Sequence, residues 1–174
     1  QESAYKEILN YAKTWSYETE TGMLVVGPVG SGKTLFVCAM ARYISDNLPI
    51  SDNSAKSAGG NFLDRFSPRS PIRFTTSIEL FENIRKSMDF NNRDEINVEI
   101  YKEVPLLIID DIGAERLTDT MRSRLLEIID YRYSEMLPMI ITTNLTLDQL
   151  ETELGARATD RLKSMCKLVT IKAK

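Results

Sequence analysis

The chain has 174 residues, of which 43% are hydrophobic and 27% charged, and its formal net charge is -3. This size and balance suit one globular domain with a sizeable core, while the slight acidity argues against a protein that coats nucleic acid with its whole surface. No apolar run approaches the roughly 20 residues that cross a bilayer, and the start does not resemble a signal peptide. The sequence therefore favours a cytoplasmic protein with no membrane partner.

The histidine and cysteine content excludes several kinds of site. There is no histidine, which rules out a His–Cys zinc site and any Ser–His or Cys–His catalytic dyad. Cys38 and Cys166 lie far apart in apolar or mixed segments, and buried free thiols are the expected state. The chain begins with Gln1 in a helical pattern, so we expect a piece of a longer protein that lacks an N-terminal part.

The first half of the chain contains a helix, a strand, a second helix and a polar segment. Apolar periodicity predicts an N-terminal helix and linker over residues 1–20, and residues 23–26 are typical of a buried strand. After a glycine-rich loop, residues 35–41 are apolar on every side, which predicts a helix in the middle of the structure. Residues 51–70 are rich in Ser, Gly and Asn, and predict a flexible insertion.

The remaining elements alternate between strand and helix. Thr76 and Glu79 form a capping box that starts a helix after a short strand. Predicted strands are 72–75, 106–110, 139–143 and the closing KLVTIK, and predicted helices are 76–88, 121–136, 147–154 and 156–165. This alternation predicts an α/β fold with a mainly parallel sheet and helices on both faces.

A phosphate-binding loop follows the first strand. GPVGSGKT fills the pattern G-x-x-x-x-G-K-[ST], in which glycines let backbone N–H groups surround a phosphate. The helix that begins near Lys33 offers its positive end to the anion; Lys33 reaches the β and γ phosphates, and Thr34 can bind Mg²⁺. The pattern predicts ATP or GTP binding, with contacts from Gly27, Pro28, Val29, Gly30, Ser31, Gly32, Lys33, Thr34 and Leu35.

Polar residues follow two later strands and complete a hydrolytic site. Asp110 is the candidate carboxylate on the metal side, and Asp111 is placed to orient or deprotonate a water molecule. The next strand ends in ITTN, residues 141–144, where a threonine or Asn144 could reach the γ-phosphate or the water that attacks it. The alternative, equally favoured by the residues, is that Asn144 or Thr146 caps the following helix. Arg157 and Arg161 are four residues apart on one helical face, and such an arginine can stabilise charge on a transferring phosphoryl group.

Five stretches together resemble the AAA+ domain of the DnaC/DnaI type of bacterial or phage helicase loader, which is related to the IstB-like ATPases. They are GPVGSGKT, PLLIIDDIGAE, RSRLLEIIDYR, LPMIITTN and GARATDRL. The resemblance implies a single AAA+ domain over residues 1–174, of the P-loop NTPase (ASCE) class: a three-layer αβα sandwich with a five-stranded sheet, with ATP or ADP and Mg²⁺ as cofactors. As a departure from larger AAA+ proteins, we expect no separate lid domain, because the sequence ends soon after the closing strand. It also implies self-association through the ATP site, single-stranded DNA as a ligand, and a hexameric replicative helicase bound through the missing N-terminal region.

The resemblance also suggests roles for individual residues. Lys33 and Thr34 match Walker A, and Asp110 and Asp111 match Walker B. Asn144 matches sensor 1, and Arg161 matches the arginine finger that acts in trans on a neighbour's ATP. Further candidates are Arg157, from the same segment as the finger, and three residues in the region where loaders carry a helical insertion near DNA: Arg85, Lys86 and Arg93. For these three, a solvated helix face is the competing interpretation.

One departure from the family pattern bears on the rate. The second Walker B acid is Asp111, whereas most AAA+ enzymes have glutamate there. Because its side chain is one methylene shorter, we expect slow hydrolysis that depends on assembly or DNA. Three alternatives to a helicase loader remain open: an IstB-like transposition helper, a small-molecule P-loop kinase, and a nucleotide-sensing adaptor with little turnover.

Overall fold

A computed structural model describes residues 2–47, 71–87, 99–113 and 115–172. The helices are α1 (Glu2–Thr14), α2 (Lys33–Asn47), α3 (Ser77–Ser87), α4 (Glu99–Glu103), α5 (Asp119–Ser134), α6 (Leu147–Leu154) and α7 (Ala156–Met165). The strands are β1 (Gly22–Val26), β2 (Ile72–Thr76), β3 (Leu106–Ile112), β4 (Met139–Thr143) and β5 (Cys166–Thr170). The predicted insertion at 51–70 and the DNA candidate Arg93 lie outside the described residues.

The strands form one parallel sheet in the order β2-β3-β4-β1-β5. This confirms the predicted α/β fold and its parallel sheet. β4 lies between β1 and β3, so the glycine loop and the acidic strand end are separated by one strand. Since parallel strands end at the same edge, their carboxyl ends bring the loop, the two aspartates and the β4 terminus together.

The three central strands, β1, β3 and β4, are buried on both faces, which explains their nearly continuous apolar sequences. Leu107 and Ile109 of β3 belong to the core shared with α3, α5, α6 and α7. Leu106 and Ile108 point to the opposite core, which is shared with α1 and α2. The alternation of strand side chains thus divides the molecule into three layers. Among the described residues, no helix combines the length and apolar character that crossing a membrane requires.

Two expectations about the helices need correction. The apolar segment 35–41 does not form a central helix: α2 buries Val37, Met40 and Ala41, while Leu35 is 69% exposed. The physical reason is that α2 lies in an outer layer and packs against the sheet and α1. α4 was not predicted, because its five residues are too few to show a periodic pattern.

The start of α3 confirms half of the predicted capping box. The Glu79 N–H donates to Oγ1 of Thr76 at 3.2 Å. The Glu79 carboxylate does not return to the Thr76 backbone and instead accepts a hydrogen bond of 3.2 Å from the Thr75 hydroxyl. The helix therefore begins where the sequence predicts, with a different partner for the glutamate.

Candidate active site

The loop between β1 and α2 is held closely against the carboxyl edge of the sheet. The Gly27 N–H donates to the Thr143 carbonyl at 3.1 Å, and a Cβ at Gly27 would lie 2.6 Å from the carbonyl oxygen of Ile171. Gly30 and Gly32 have φ values of 76° and 90°, which residues other than glycine rarely adopt. The glycines are therefore required by a close approach at one end of the loop and by left-handed backbone further along.

Lys33 is the first residue of α2 and is only 7% exposed. Its ammonium donates to the carbonyl oxygens of Gly27 at 2.8 Å and Pro28 at 3.0 Å. A buried ammonium needs such acceptors because the charge has lost most of its water. The loop thus holds the Lys33 charge at the N-terminus of α2, where an anion is also attracted by the free N–H groups of the helix.

Asp110 connects the phosphate loop to two neighbouring strands. It is 4% exposed, and its Oδ2 accepts a hydrogen bond of 2.8 Å from the Thr34 hydroxyl. Its Oδ1 accepts one of 2.6 Å from the Thr142 hydroxyl on β4. The predicted metal pair, Thr34 and Asp110, is therefore in direct contact, although 76 positions separate the two residues in the chain.

The Thr34 and Asp110 oxygens suit a magnesium ion. Mg²⁺ prefers oxygen ligands at about 2.0–2.1 Å in octahedral geometry, so adjacent ligands are roughly 2.9 Å apart. The 2.8 Å between Thr34 Oγ1 and Asp110 Oδ2 matches that spacing. Within the described ranges, no group of three or more His, Cys, Asp or Glu residues could hold a metal. A magnesium ion here would therefore need phosphate oxygens and water as further ligands.

Asp111 adopts an unusual backbone conformation beside the phosphate loop. Its φ is 60°, and the β3–β4 ladder changes register between Ile109 and Ile112. Its N–H donates to Thr142 Oγ1 at 2.8 Å, and its carbonyl accepts from the Ser77 hydroxyl at 2.9 Å. The two predicted acids thus differ: Asp110 is buried and bonded at both carboxylate oxygens, whereas Asp111 is half-buried and held through its main chain.

Asn144 follows β4 and is exposed to solvent. The N-cap of α6 is Thr146, whose hydroxyl accepts from the Gln149 N–H while the Gln149 side chain accepts from the Thr146 N–H. Of the two interpretations that the sequence left open, the capping role therefore belongs to Thr146. Asn144 lies at the carboxyl edge of the sheet and does not cap α6.

Arg157 and Arg161 lie on the same face of α7 and both contact Asp130 of α5. Arg157 Nη2 lies 2.5 Å from Asp130 Oδ2, and Arg161 Nε lies 3.5 Å from Oδ1. The Arg161 guanidinium also lies over the ring of Tyr133, 4.2 Å from the centroid, an arrangement that attracts a cation to an aromatic face. Both arginines remain partly exposed, with side chains at 66% and 35% for Arg157 and Arg161 respectively.

The candidate DNA residues and the cysteines complete the set of predicted positions. Arg85 and Lys86 are exposed in the last turn of α3, at the opposite end of the helix from Ser77. Cys38 and Cys166 are both free thiols, but the predicted burial holds only for Cys166, since Cys38 is half-buried. Burial, assisted by the charge of Asp110, raises the pKa of Cys38, and burial raises the pKa of Cys166 to about 12.

Thr142 and Ser77 contact the two aspartates, a role that was not predicted for either. The threonines of residues 141–144 were predicted only as possible contacts of a γ-phosphate or a water molecule, and Ser77 lies inside the predicted capping box. One signal for the role of Thr142 was present in the sequence: it is a polar residue in a mainly apolar strand. The structure shows that all five positions of this strand are buried. A buried hydroxyl requires a partner, and the neighbouring strand in the predicted sheet ends in two acids.

Comparison with known proteins places this geometry in a family. The family model of the IstB-like ATP-binding proteins matches residues 69–174. The replicative helicase loader DnaI of Bacillus subtilis is 22% identical over 149 residues, which are 84% of this chain and 41% of DnaI. The chain therefore spans less than half the length of that curated relative.

Solved structures show the same architecture. The crystal structure of the DnaC helicase loader has a TM-score of 0.77 and 26% identity, and the match covers 99% of this chain and 90% of that one. The replication initiator DnaA, bound to AMPPCP and single-stranded DNA, has a TM-score of 0.69 and 17% identity over 98% of this chain and 46% of that one. The α/β fold is that of the AAA+ P-loop proteins.

Proposed function

The chain belongs to the family of IstB-like ATP-binding proteins, and we propose that it is a helicase-loader-type AAA+ ATPase that helps to place a replicative helicase on single-stranded DNA. The observation that carries the proposal is the 2.8 Å contact between Thr34 of the phosphate loop and Asp110 of the acidic strand. This contact joins the nucleotide-binding and hydrolytic halves of one site. The similarity to DnaI and DnaC, both helicase loaders by name, supports the loader assignment.

The phosphate loop supplies the binding part of the proposed reaction. Backbone N–H groups within residues 29–34 surround the phosphates, and the N-terminus of α2 attracts their charge. Lys33 exchanges its two carbonyl acceptors for β- and γ-phosphate oxygens, a change that costs little because its ammonium already points into the loop. Thr34 and Asp110 would hold Mg²⁺, which would neutralise charge on the phosphates.

The strand end supplies the hydrolytic part. Asp111 orients a water molecule and accepts its proton as the water oxygen attacks the γ-phosphorus; the bond to the bridging oxygen breaks, and ADP and phosphate leave. Asn144, exposed at the end of β4 and free of the capping role, contacts the γ-phosphate. Because the Asp111 side chain is short, hydrolysis is slow and is stimulated by assembly or DNA.

Arg161 completes the site of a neighbouring subunit in this proposal. It is 35% exposed, and its contacts with Asp130 and Tyr133 set the direction of its side chain. Arg157, on the same face and more exposed, assists at the same interface. A cation that reaches the γ-phosphate across an interface stabilises the transition state and links hydrolysis to assembly.

The DNA and helicase partners follow from the same assignment. Arg85 and Lys86, together with Arg93, are proposed to contact the phosphate backbone of single-stranded DNA. The helicase is proposed to bind through an N-terminal region that precedes this domain in a longer protein. The fold of DnaA, a replication initiator that binds single-stranded DNA, supports the suitability of this architecture for such a partner.

A mixing experiment tests the proposed ATPase. Hydrolysis is measured with and without single-stranded DNA for the wild type, for Lys33→Ala, for Arg161→Ala and for an equal mixture of the two variants. Each variant alone should lose at least about a hundredfold in rate. The mixture should recover activity, because a Lys33→Ala subunit supplies its Arg161 to the intact loop of an Arg161→Ala neighbour.

A matched variant separates this role from general damage to α7. Lys163→Ala removes a cation from the same helix, where Lys163 lies 3.7 Å from Glu151, and should hydrolyse ATP as the wild type does. Normal hydrolysis by Arg161→Ala under assembling conditions would refute the assignment of the finger. Transfer of phosphate to a small acceptor instead of water would refute the loader and favour the kinase.

The second candidate function is a transposition helper, and the observation that favours it is the family match to IstB-like proteins over residues 69–174. Both functions use the same ATP site. They differ in the protein that the assembled ATPase recruits. Pull-down of the full-length protein with a purified helicase or a purified transposase, each with ATP present, distinguishes them.

A further inference from the structure

Thr142 is a buried threonine of β4 that contacts both acidic residues. It is 0% exposed. Its hydroxyl donates to Oδ1 of Asp110 at 2.6 Å and accepts from the N–H of Asp111 at 2.8 Å. A hydroxyl has one donor and two acceptor positions; here the donor faces a carboxylate and an acceptor faces the main chain. One side chain therefore orients two consecutive acids by different means.

The contact with Asp111 lies at a strained point of β3. A φ of 60° is uncommon outside glycine, and it persists only where the surroundings hold it. The β3–β4 register shifts here, between Ile109 and Ile112, and a bulge of this kind redirects a side chain. Thr142 takes the Asp111 N–H that the regular ladder has lost, and Ser77 donates to the Asp111 carbonyl at 2.9 Å.

The contact with Asp110 fixes how that carboxylate is rotated. With Oδ1 bound by Thr142 at 2.6 Å, the other oxygen, Oδ2, faces the Thr34 hydroxyl at 2.8 Å. Hydrogen bonds to a carboxylate are among the stronger ones, so the rotation is well defined. Partners of this kind orient the groups that bind a metal and tune them.

We propose that Thr142 is the positioning residue for the hydrolytic site: it turns Asp110 toward the metal and holds Asp111 in the left-handed conformation that sets the direction of its carboxylate. The role at Asp111 rests on the proposed ATPase function. The role at Asp110 depends only on metal-assisted nucleotide binding. The two roles can therefore be measured separately.

Thr143, the next residue, is a matched control on the same strand. It is also 0% exposed, and its hydroxyl donates to the Ile112 carbonyl at 2.6 Å and accepts from the Leu145 N–H at 3.1 Å. It makes the same number of hydrogen bonds as Thr142, but only to the main chain. Loss of the Thr143 hydroxyl therefore reports the cost of removing a buried threonine hydroxyl without touching either acid.

The test compares Thr142→Val, Thr142→Ser and Thr143→Val in two assays. Calorimetric titration with AMPPCP at a series of Mg²⁺ concentrations gives the Mg²⁺ needed for half-maximal binding, and steady-state hydrolysis gives kcat. Thr142→Val should raise the Mg²⁺ requirement and lower kcat, each by about tenfold or more. Thr142→Ser and Thr143→Val should remain within about twofold of the wild type in both assays, with urea unfolding used to verify that all variants are folded.

Ser77→Ala separates the two roles and covers the case in which Thr142→Val does not fold. It removes a hydrogen bond to the Asp111 carbonyl and touches no carboxylate, so kcat should fall while the Mg²⁺ requirement stays unchanged. Equal effects of Thr142→Val and Thr143→Val, or failure of Thr142→Ser to restore both readouts, would overturn the proposal. If the wild type does not hydrolyse ATP at all, the proposed function fails, and the Mg²⁺ titration still decides whether Thr142 orients Asp110.

Discussion

Arg132 of α5 and Pro138, which precedes β4, are joined by a hydrogen bond of 2.6 Å from Nη2 of the guanidinium to the proline carbonyl. Arg132 is completely buried. Its other acceptors are also main-chain carbonyls, those of Tyr101, Lys102, Val104 and Pro105. One side chain thus connects the segment that leads into β3 with the segment that leads into β4. β3 carries the two acids, and Asn144 follows β4.

We expect Arg132→Met to lower the free energy of unfolding by about 3 kcal/mol or more, because buried carbonyls would lose their donors. Arg132→Lys should lose less, since an ammonium keeps the charge with fewer donors. Urea unfolding measures both. Arg124→Met is the matched control: its side chain is 51% exposed on the same helix, so a change under about 0.5 kcal/mol is expected. Equal losses at positions 124 and 132 would contradict the assigned role.

Glu127 of α5 gives the fold a dependence on acidic pH. Its Oε1 lies 2.5 Å from Lys102 Nζ, and its Oε2 lies 2.9 Å from Arg124 Nη1. The hydrogen bond from Lys102, followed by that from Arg124, lowers the pKa of Glu127 below its usual 4.5. A lowered pKa means that the ionised form is favoured in the folded state, so this stabilisation is present above pH 4.5 and is lost as the pH falls through the folded-state pKa.

Glu127→Gln should therefore be less stable than the wild type at pH 7, by about 0.5 kcal/mol, because the carboxylate is partly exposed and screened. The difference should disappear in strong acid, where both side chains are neutral. Thermal unfolding across a pH series measures it. Glu18→Gln, at an exposed position outside the helices and strands, should show no such trend; a difference for Glu127→Gln that persists in acid would exclude the ion pairs as its cause.

Most of the fold was predictable because the central strands are buried on both faces and have apolar sequences. The bounds of β4, α6 and α7 match the sequence prediction. Pro138 directly precedes β4, and Gly155 lies between α6 and α7. The differences arise where the sequence has no local signal. The five residues of α4 are too few for a period, and the exposed side of α2 depends on which layer the helix occupies.

The sequence motifs of the site were predictable, but the contacts between side chains on different elements were not. The glycine loop follows β1 and the two acids lie near the carboxyl end of β3, so their meeting at one edge follows from parallel pairing. The contact of Thr142 with Asp110 and Asp111 depends on a register shift between β3 and β4. The pairing of Arg161 with Asp130 depends on how α7 packs against α5. Neither depends on local sequence alone, because each joins residues on separate elements.

Gly22, the first residue of β1, should not tolerate a side chain. A Cβ there would lie 2.0 Å from the carbonyl oxygen of Met139, in the neighbouring strand. Since that atom belongs to the backbone, Gly22→Ala should cost about 3 kcal/mol or more. Gly155→Ala is the control, with open space around the Cβ but a φ of 90°; about 1 kcal/mol is expected from backbone strain alone. Similar urea midpoints for the two variants would contradict the steric argument.

Thr146 and Asn144 should separate stability from hydrolysis. Thr146 caps α6, so Thr146→Ala should lower the free energy of unfolding by about 1 kcal/mol and leave ATP hydrolysis unchanged. Asn144 is exposed and does not cap the helix, so Asn144→Ala should leave stability unchanged and lower kcat by about tenfold or more. Urea unfolding and steady-state hydrolysis of both variants test the pair. Loss of stability without loss of hydrolysis in Asn144→Ala would return Asn144 to a structural role.

The exposed cations of α3 should contribute to DNA binding through charge. Arg85→Ala combined with Lys86→Ala should weaken the binding of single-stranded DNA and reduce the slope of log K against log salt by about 1.4, because each phosphate contact contributes about 0.7. Fluorescence anisotropy with a labelled oligonucleotide at several salt concentrations measures the slope. The charge-matched control combines Lys6→Ala with Lys13→Ala on exposed positions of α1, which packs in the layer opposite α3. If both double variants change the slope equally, net charge rather than a defined α3 surface accounts for the binding.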